Sequence, residues 1–537
     1  MMTPEQRKDF IDSMFADLHQ QIADYTPPLC RIRTLPPELT VTRVTENVVT
    51  ALTRSSLELG TTVNLSREHQ GLVFDLRRLD LPQNEAANPT HQKNAEAQII
   101  SLGDTQKLKP GDIITSSEQM LAIPVGPEII GTIVDPLGNF LDGGHDHRKI
   151  TGKLYPLFAE APTILDREEV KRPLHTGINA IDLTCPIGRG QRELIIGDPT
   201  TGRTAIALDT IIAQRGEHMT CIYVAVGKKM QEIAHIIDSL KNAGAMEYTT
   251  IIIAPADTAD GMKYIAPYSG MAIAEWVRSQ GNDALVIFDD LSLHAQAYRK
   301  VAVSLGFPRG REAYPGDTFA IHSTLLERAG QLHALRGGGS ITALPIVTTK
   351  GDMTAYIPTN IISITDGQII LDSKLSNKNI KPAIDIGKSV SRIGSKAQPE
   401  IIKIVSKEVK NALVEFRELE SFGQENIRDP ETQRLFTRGQ RIQELVIQPR
   451  EDAMPVPIQA IMTFAIMHGF FDTISQDKTA SKIRETSRTL QTQYQTMIGT
   501  ILERPFVLKD HDTDTVDDPI VTQLKQFLQE SLGTSPS

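Results

Sequence analysis

Eight residues of this chain could do phosphate chemistry: Gly197-Asp198-Pro199-Thr200-Thr201-Gly202-Arg203-Thr204, two glycines five apart followed by a cation and a hydroxyl. That is the spacing of a phosphate-binding (Walker A) loop, with arginine where lysine is expected. Glycines at 197 and 202 let the backbone turn successive N–H groups toward one anion. A helix starting at Thr204 adds its positive end, and the Thr204 hydroxyl is placed to reach a magnesium ion on the phosphates. A magnesium nucleotide, ATP or ADP, is the ligand this predicts. Arginine keeps the charge but presents a larger planar fork in place of a compact ammonium. An ordinary glycine-rich turn between strand and helix would carry similar letters, so the rest of the chain has to decide.

A second acid supports the first reading. The run Ala284-Leu285-Val286-Ile287-Phe288 is apolar throughout, as for a strand covered on both faces, and it ends in Asp289-Asp290. A carboxylate at the carboxyl end of such a strand, close to a phosphate loop, holds magnesium through a water, so Asp289 joins Thr204 as a candidate metal contact. Taken alone, two aspartates would simply begin a surface loop.

These residues need a strand at Glu193 to Ile196, a helix from about Ala205, and a parallel sheet around them. Residues from about 118 to 398 alternate apolar β-type runs with helical stretches, the pattern of an α/β domain of the P-loop, RecA-like kind. Before it, residues 38 to 117 read as short alternating strands, such as Leu39-Thr40-Val41-Thr42-Arg43-Val44, and predict a small β-barrel. Within the barrel, Leu81 to Gln98 is polar, with Pro82 and Pro89, and reads as a long exposed loop. From 399 to 537 helical periodicity takes over, through Ile404, Val405, Val409, Ala412, Leu413 and Phe416, and Asp510 to Asp518 forms an acidic, solvated stretch. The fold class is therefore multidomain: N-terminal β-barrel, central α/β nucleotide-binding domain, C-terminal α-helical domain. Ahead of them, residues 3 to 25 form an amphipathic helix capped by Thr3 and Gln6, with Phe10, Ile11, Met14, Leu18 and Ile22 on one face. Pro27-Pro28 and Pro36-Pro37 separate it from the barrel, so 1 to 37 read as a docking helix and linker.

Composition removes other classes. With 56 basic against 66 acidic residues in 537, and a net charge of -10, the chain does not read as a dedicated nucleic-acid binder. Cys30, Cys185 and Cys221 are scattered without metal-ligand spacing, as in a reducing compartment. No apolar run approaches the ~20 residues that span a bilayer, and Glu5 and Asp9 stand where a secretory apolar region would be.

The order of barrel, phosphate-loop domain and helical domain resembles the alpha subunit of F-type rotary ATP synthases over nearly the whole chain. The carrying words are Pro124-Val125-Gly126, Val134-Asp135-Pro136-Leu137-Gly138-Asn139, Gly177-Ile178-Asn179-Ala180-Ile181-Asp182, the loop at 197 to 204, Ala266-Pro267-Tyr268-Ser269-Gly270, the stretch from Gly310 to Asp317, Leu325-Leu326-Glu327-Arg328-Ala329, and the stretch from Ile357 to Gln368. The resemblance implies a nucleotide-holding subunit that alternates with three catalytic beta subunits in a hexamer. A gamma-type shaft would turn inside it, delta-type and peripheral-stalk subunits would hold it, and the whole would sit as a peripheral complex on the cytoplasmic face of a bacterial plasma membrane.

Catalytic subunits of the family place a glutamate just after the glycine that follows the strand Cys221 to Val226; here Gly227 is followed by Lys228, where alpha subunits usually have glutamine. A charged ammonium has no acceptor with which to orient a nucleophilic water. The chain's own site is thus expected not to turn over, and Lys228 is left to face a phosphate, an acid or solvent. In Ser389-Val390-Ser391-Arg392, the resemblance makes Arg392 the arginine that reaches the beta-bound phosphates, and places Ser389 with it at the beta interface with a part in coupling. It also assigns Lys381, Pro382 and Gln448 to the adenine pocket. Pro449-Arg450-Glu451-Asp452, Thr324 after His322-Ser323, and a weak glycine-rich repeat in the barrel depart from the usual sequence, which suggests a divergent or alternative alpha subunit. Two other classes stay open: a stand-alone hexameric motor such as a secretion ATPase or RNA translocase, and a nucleotide-free structural subunit.

Overall fold

The computed structural model describes residues 36–54, 57–66, 69–78, 95–141, 150, 152–422, 429–504 and 519–532. The expected helix at 3 to 25, most of the 81 to 98 loop and the acidic stretch at 510 to 518 lie outside these residues.

Alternating residues build the first unit. In β1 (Glu38–Val44), Leu39 and Val41 are buried while Glu38 and Thr40 face out. With β2 (Val48–Thr53), β3 (Thr61–Asn64), β4 (Gln70–Arg78), β5 (Ala95–Ser101) and β6 (Ile113–Met120) it closes an antiparallel barrel in the order β1-β2-β5-β4-β3-β6. Closure leaves no edge, and Leu39, Val49, Val63, Ile99 and Ile114 fill the interior. The reading of 81 to 98 as one loop is corrected at its end: Ala95 to Gln98 belong to β5, paired with Thr53 to Thr50 of β2. Their polar letters mislead because Gln98, though a glutamine, is 8% exposed between neighbouring strands.

The central sheet is built from continuous apolar runs. Its strands are β7 (Ile133–Val134), β8 (Leu194–Gly197), β9 (Met219–Val226), β10 (Thr249–Ala254), β11 (Asp283–Asp289), β12 (Ser340–Thr348), β13 (Gly367–Leu371) and β14 (Val390–Ser391). They lie in the order β14-β13-β8-β12-β11-β9-β10-β7, with Gly330–Gln331 beside β12. Every pair from β13 to β7 is parallel, whereas β14 and the short Gly330–Gln331 strand run antiparallel to their neighbours. Every residue of β11 is buried, as a strand sandwiched between helices requires. The phosphate-loop strand β8 sits between β12 and β13, so loops after three adjacent strands converge at its carboxyl end.

Helices follow from Glu400 onward, among them Val409–Phe422, Pro430–Val446 and Val456–Met467. Asp429 caps the second of these by accepting from the Thr432 backbone N–H at 2.8 Å, with Pro430 in the first turn. Leu413, Ile442, Ile461 and Phe470 share one apolar core with Ile181, Ile206 and Ile384, so the helical domain is welded to the side of the sheet that carries the loop helix. No helix among the described residues is long and apolar enough to cross a membrane.

Candidate nucleotide-binding site

The loop joins β8 to α1 (Arg203–Ile212), and its two glycines are needed for different reasons. Gly202, at the amino end of α1, has φ of +99°, a conformation L side chains rarely adopt. Gly197 is instead fixed by packing, since a Cβ there would lie 2.9 Å from the Leu371 Cβ and 2.9 Å from the Thr201 Oγ1. Thr200 also takes a positive φ of 68°, at the exposed crest beside Pro199. Asp198 does not face the loop's interior. Its carboxylate accepts from Ser373 Oγ at 2.7 Å, Thr349 Oγ1 at 2.7 Å and the Gly351 N–H at 2.8 Å, which holds it below the usual carboxylate range. Expected among the ligand contacts, Asp198 is here a tie that fixes the loop to the segments after β12 and β13.

The charged groups behind the loop form two pairs. Thr204 Oγ1 donates to Asp289 Oδ2 at 2.7 Å, the Tyr223 hydroxyl donates to the same oxygen, and Lys228 Nζ lies 2.9 Å from Asp289 Oδ1. Lys228 is therefore not a solvated lysine: its side chain is 12% exposed and that of Asp289 only 2%. Arg203 hydrogen-bonds Thr348 Oγ1 and stands 3.7 Å from Asp290 Oδ2. Asp290 also caps the helix α2 (Leu291–Leu305), accepting from the Leu293 N–H at 2.7 Å. Burial, and then the charge of Asp289, push the Asp290 carboxyl up. Thr204 and Asp289 give two adjacent hard oxygen donors, and no group of three or more His, Cys, Asp or Glu among the described residues could hold a metal alone. Such a pair suits magnesium that draws its remaining ligands from phosphates and water.

Beside the loop lies a cavity of about 210 Å³ that brings Thr200, Thr201 and Gly202 together with Lys381, Pro382 and Gln448. The Gln448 amide is already committed: its Nε2 donates to the Gly177 and Asp452 carbonyls, and its Oε1 accepts from the Asn179 N–H at 3.0 Å. It shapes the wall and leaves base recognition to other groups. Asp209, missed in the sequence, also lines this cavity, and burial pushes its carboxyl up to about 6. The available signal was its place one turn after Ala205 on α1, a carboxyl on the helix face that follows the loop.

Ser389 and Arg392 lie elsewhere. Ser389 is 0% exposed; its hydroxyl donates to the Asp385 carbonyl at 2.7 Å and accepts from the Ile370 N–H at 3.0 Å. Expected at an interface, it is corrected to an internal brace between β13 and the segment leading to β14. Arg392 follows β14, its N–H bound to the Asp366 carbonyl at 2.8 Å. Its side chain is exposed and, among the described residues, makes no hydrogen bond or ion pair. It borders a second hollow of about 230 Å³ with Arg167, Arg192 and Asp366, apart from the phosphate loop.

A glycine loop between a central parallel strand and a helix, with an acid ending a nearby strand, defines a P-loop nucleotide-binding protein. Residues 177–391 match the family model "ATP synthase alpha/beta family, nucleotide-binding domain", and residues 398–527 match "ATP synthase alpha/beta chain, C terminal domain". Proteins named ATP synthase subunit alpha are similar to it: that of Acholeplasma laidlawii at 42% identity over 89% of this chain and 92% of its own, and that of Aquifex aeolicus at 44% over 80% and 84%. That of Neorickettsia sennetsu is 48% identical over 70% of this chain and 75% of its own. The chain belongs to the ATP synthase alpha/beta family, as an alpha subunit of the F-type.

Proposed function

We propose that this chain is the non-catalytic, regulatory subunit of a membrane-associated complex that makes ATP from ADP and phosphate with a transmembrane ion gradient, taken as protons. The observation that carries the reading is the ammonium of Lys228 in the nucleotide site, 2.9 Å from Asp289, where a catalytic relative needs a carboxylate to orient water. The phosphates of ATP or ADP rest on the N–H groups of 197 to 204 with Arg203 beside them, and the base enters the cavity at Lys381, Pro382 and Gln448. Thr204 and, through water, Asp289 are the residues that would hold magnesium, which when bound neutralises the phosphates.

Arg392, exposed and without a hydrogen bond or ion pair among the described residues, is the group offered to a beta-type neighbour. A guanidinium stays charged and spans two oxygens as charge develops on a transferring phosphoryl group. Ser389 positions it through the strand that both flank. It assembles as three alternating pairs with beta-type subunits around a gamma-type shaft, with delta-type and peripheral-stalk subunits bound at the N-terminal segment, a reading that membership of the family supports. The same reading puts the complex on the cytoplasmic face of a bacterial plasma membrane. Functional units at 1–37, 38–117, 118–398 and 399–537 complete the reading.

Equilibrium binding of Mg-ATP to the purified chain, with hydrolysis followed in the same sample, tests this function. Binding without turnover is expected. Turnover by the chain alone would favour a stand-alone motor, and absence of binding a purely structural subunit.

A further inference from the structure

Resting on the reading that 197 to 204 holds nucleotide, we propose that Lys228 is a built-in counter-ion for the phosphates, so that this site binds ATP or ADP without needing a divalent metal. At a phosphate loop, magnesium lies between the hydroxyl after the loop cation and the acid of a nearby strand, and cancels phosphate charge there. The Thr204 hydroxyl, which donates to Asp289, keeps its own lone pairs, but the acid is largely engaged. Asp289 Oδ2 accepts two hydroxyl donors, Thr204 and Tyr223, which fill its two lone pairs, while Oδ1 faces the Lys228 ammonium at 2.9 Å. One acceptor position is left on that carboxylate for a metal-bound water.

The ammonium is held in place from the backbone outward. Gly227, with φ of +66°, turns the chain after β9; its N–H donates to the Ala254 carbonyl at 2.7 Å, and the Lys228 carbonyl accepts from the Ala256 N–H at 2.9 Å. Both bonds anchor the turn to the end of β10, so the side chain enters the site from a fixed point. An ammonium has three N–H donors, and Asp289 is the one acceptor that Lys228 has among the described residues, which leaves donors for phosphate oxygens. Lysine suits this task because it is a compact charge on a flexible stem, able to move with the oxygens it meets. Arg203, drawn toward Asp290 and Thr348, stands as a second cation on the other side of the acid pair.

The test is ATP affinity of the full-length chain measured by calorimetry in excess magnesium and in excess EDTA, for wild type, K228Q and K228R. For wild type and K228R, the two affinities are expected to agree within about threefold. For K228Q, affinity in EDTA should fall about tenfold or more below its own value in magnesium, roughly 1.4 kcal/mol. A wild-type chain that loses about tenfold in EDTA overturns the proposal, as does a K228Q chain that is equally indifferent to metal. Lack of ATP binding by all three proteins in both buffers overturns instead the nucleotide reading on which it rests.

Discussion

Removing the Arg392 side chain should separate stability from catalysis. The side chain is exposed and has no hydrogen bond or ion pair among the described residues, while its backbone N–H, 2.8 Å from the Asp366 carbonyl, is untouched by substitution. Arg392→Ala should therefore change unfolding free energy by no more than about 0.5 kcal/mol, the range for surface sites without special contacts. Loss of an arginine finger costs roughly 10³ to 10⁵ in rate. At about 1.36 kcal/mol per tenfold, that is about 4 to 7 kcal/mol of transition-state stabilisation. Arg392→Lys keeps a charge but not the planar fork and should fall between the two. The assay pairs urea unfolding of the isolated chain with steady-state ATP hydrolysis by the complex assembled with its catalytic partner. A loss of turnover smaller than about tenfold would refute the finger, and a parallel loss of stability would show that Arg392 acts by holding its own fold.

Three further outcomes are expected from the same geometry. Gly197→Ala must push its Cβ into Leu371 and Thr201, and should cost about 1–3 kcal/mol by overpacking, whereas Gly202→Ala meets no atom and should cost about 1–2 kcal/mol from its positive φ alone; urea unfolding of the two variants, with ATP binding, checks both. Ser389→Ala leaves the buried Ile370 N–H and Asp385 carbonyl without this partner, so unfolding should become easier by about 1–3 kcal/mol, and turnover of the complex should fall as Arg392 loses its brace. Asp209 has a folded-state carboxyl raised from 3.8 to about 6, so the folded chain binds more protons than the unfolded chain between those values. Its contribution is thus present at low pH and lost as pH rises through about 6, and Asp209→Asn should flatten the pH dependence of stability between about pH 4 and 6. An unchanged slope in that window would show that the carboxyl is not desolvated in solution.

What could be read from the sequence was what is local. The octet at 197 to 204 and the apolar run ending at Asp289 declare themselves by spacing and by uninterrupted hydrophobicity, because loop, strand and helix periods act over a few residues. Roles that depend on distant partners were hidden. Asp198 is bound by groups 151, 153 and 175 residues away, so nothing near it marks it as a tie. Asp209 has its carboxyl raised by burial, beside a cavity that it lines together with residues 381–382 and 448–450. Ser389 lies three residues before Arg392 and so reads as its partner in function, yet it points inward to Asp385 and Ile370. Lys228 was legible as an absence of carboxylate, and its engagement with Asp289 needed the fold.

The two departures from the usual phosphate-binding pattern, Arg203 and Lys228, are linked through the acid pair between them. Asp289 and Asp290 are adjacent and almost fully buried, and each has its own cation: Lys228 at 2.9 Å from the first and Arg203 at 3.7 Å from the second. Removing either cation would leave a buried carboxylate without its principal counter-charge, a change that costs several kcal/mol in other proteins. On the reading proposed above, the lysine that cannot orient a nucleophilic water also supports the acid pair, and a bound nucleotide serves as a structural ligand. Such a ligand stabilises by mass action, about 2.7 kcal/mol at one hundred times Kd. Its leverage falls where the cavity walls meet, between α1 and residues 448–450 ahead of the helix Val456–Met467, so occupancy would tighten the nucleotide-binding domain against the helical one.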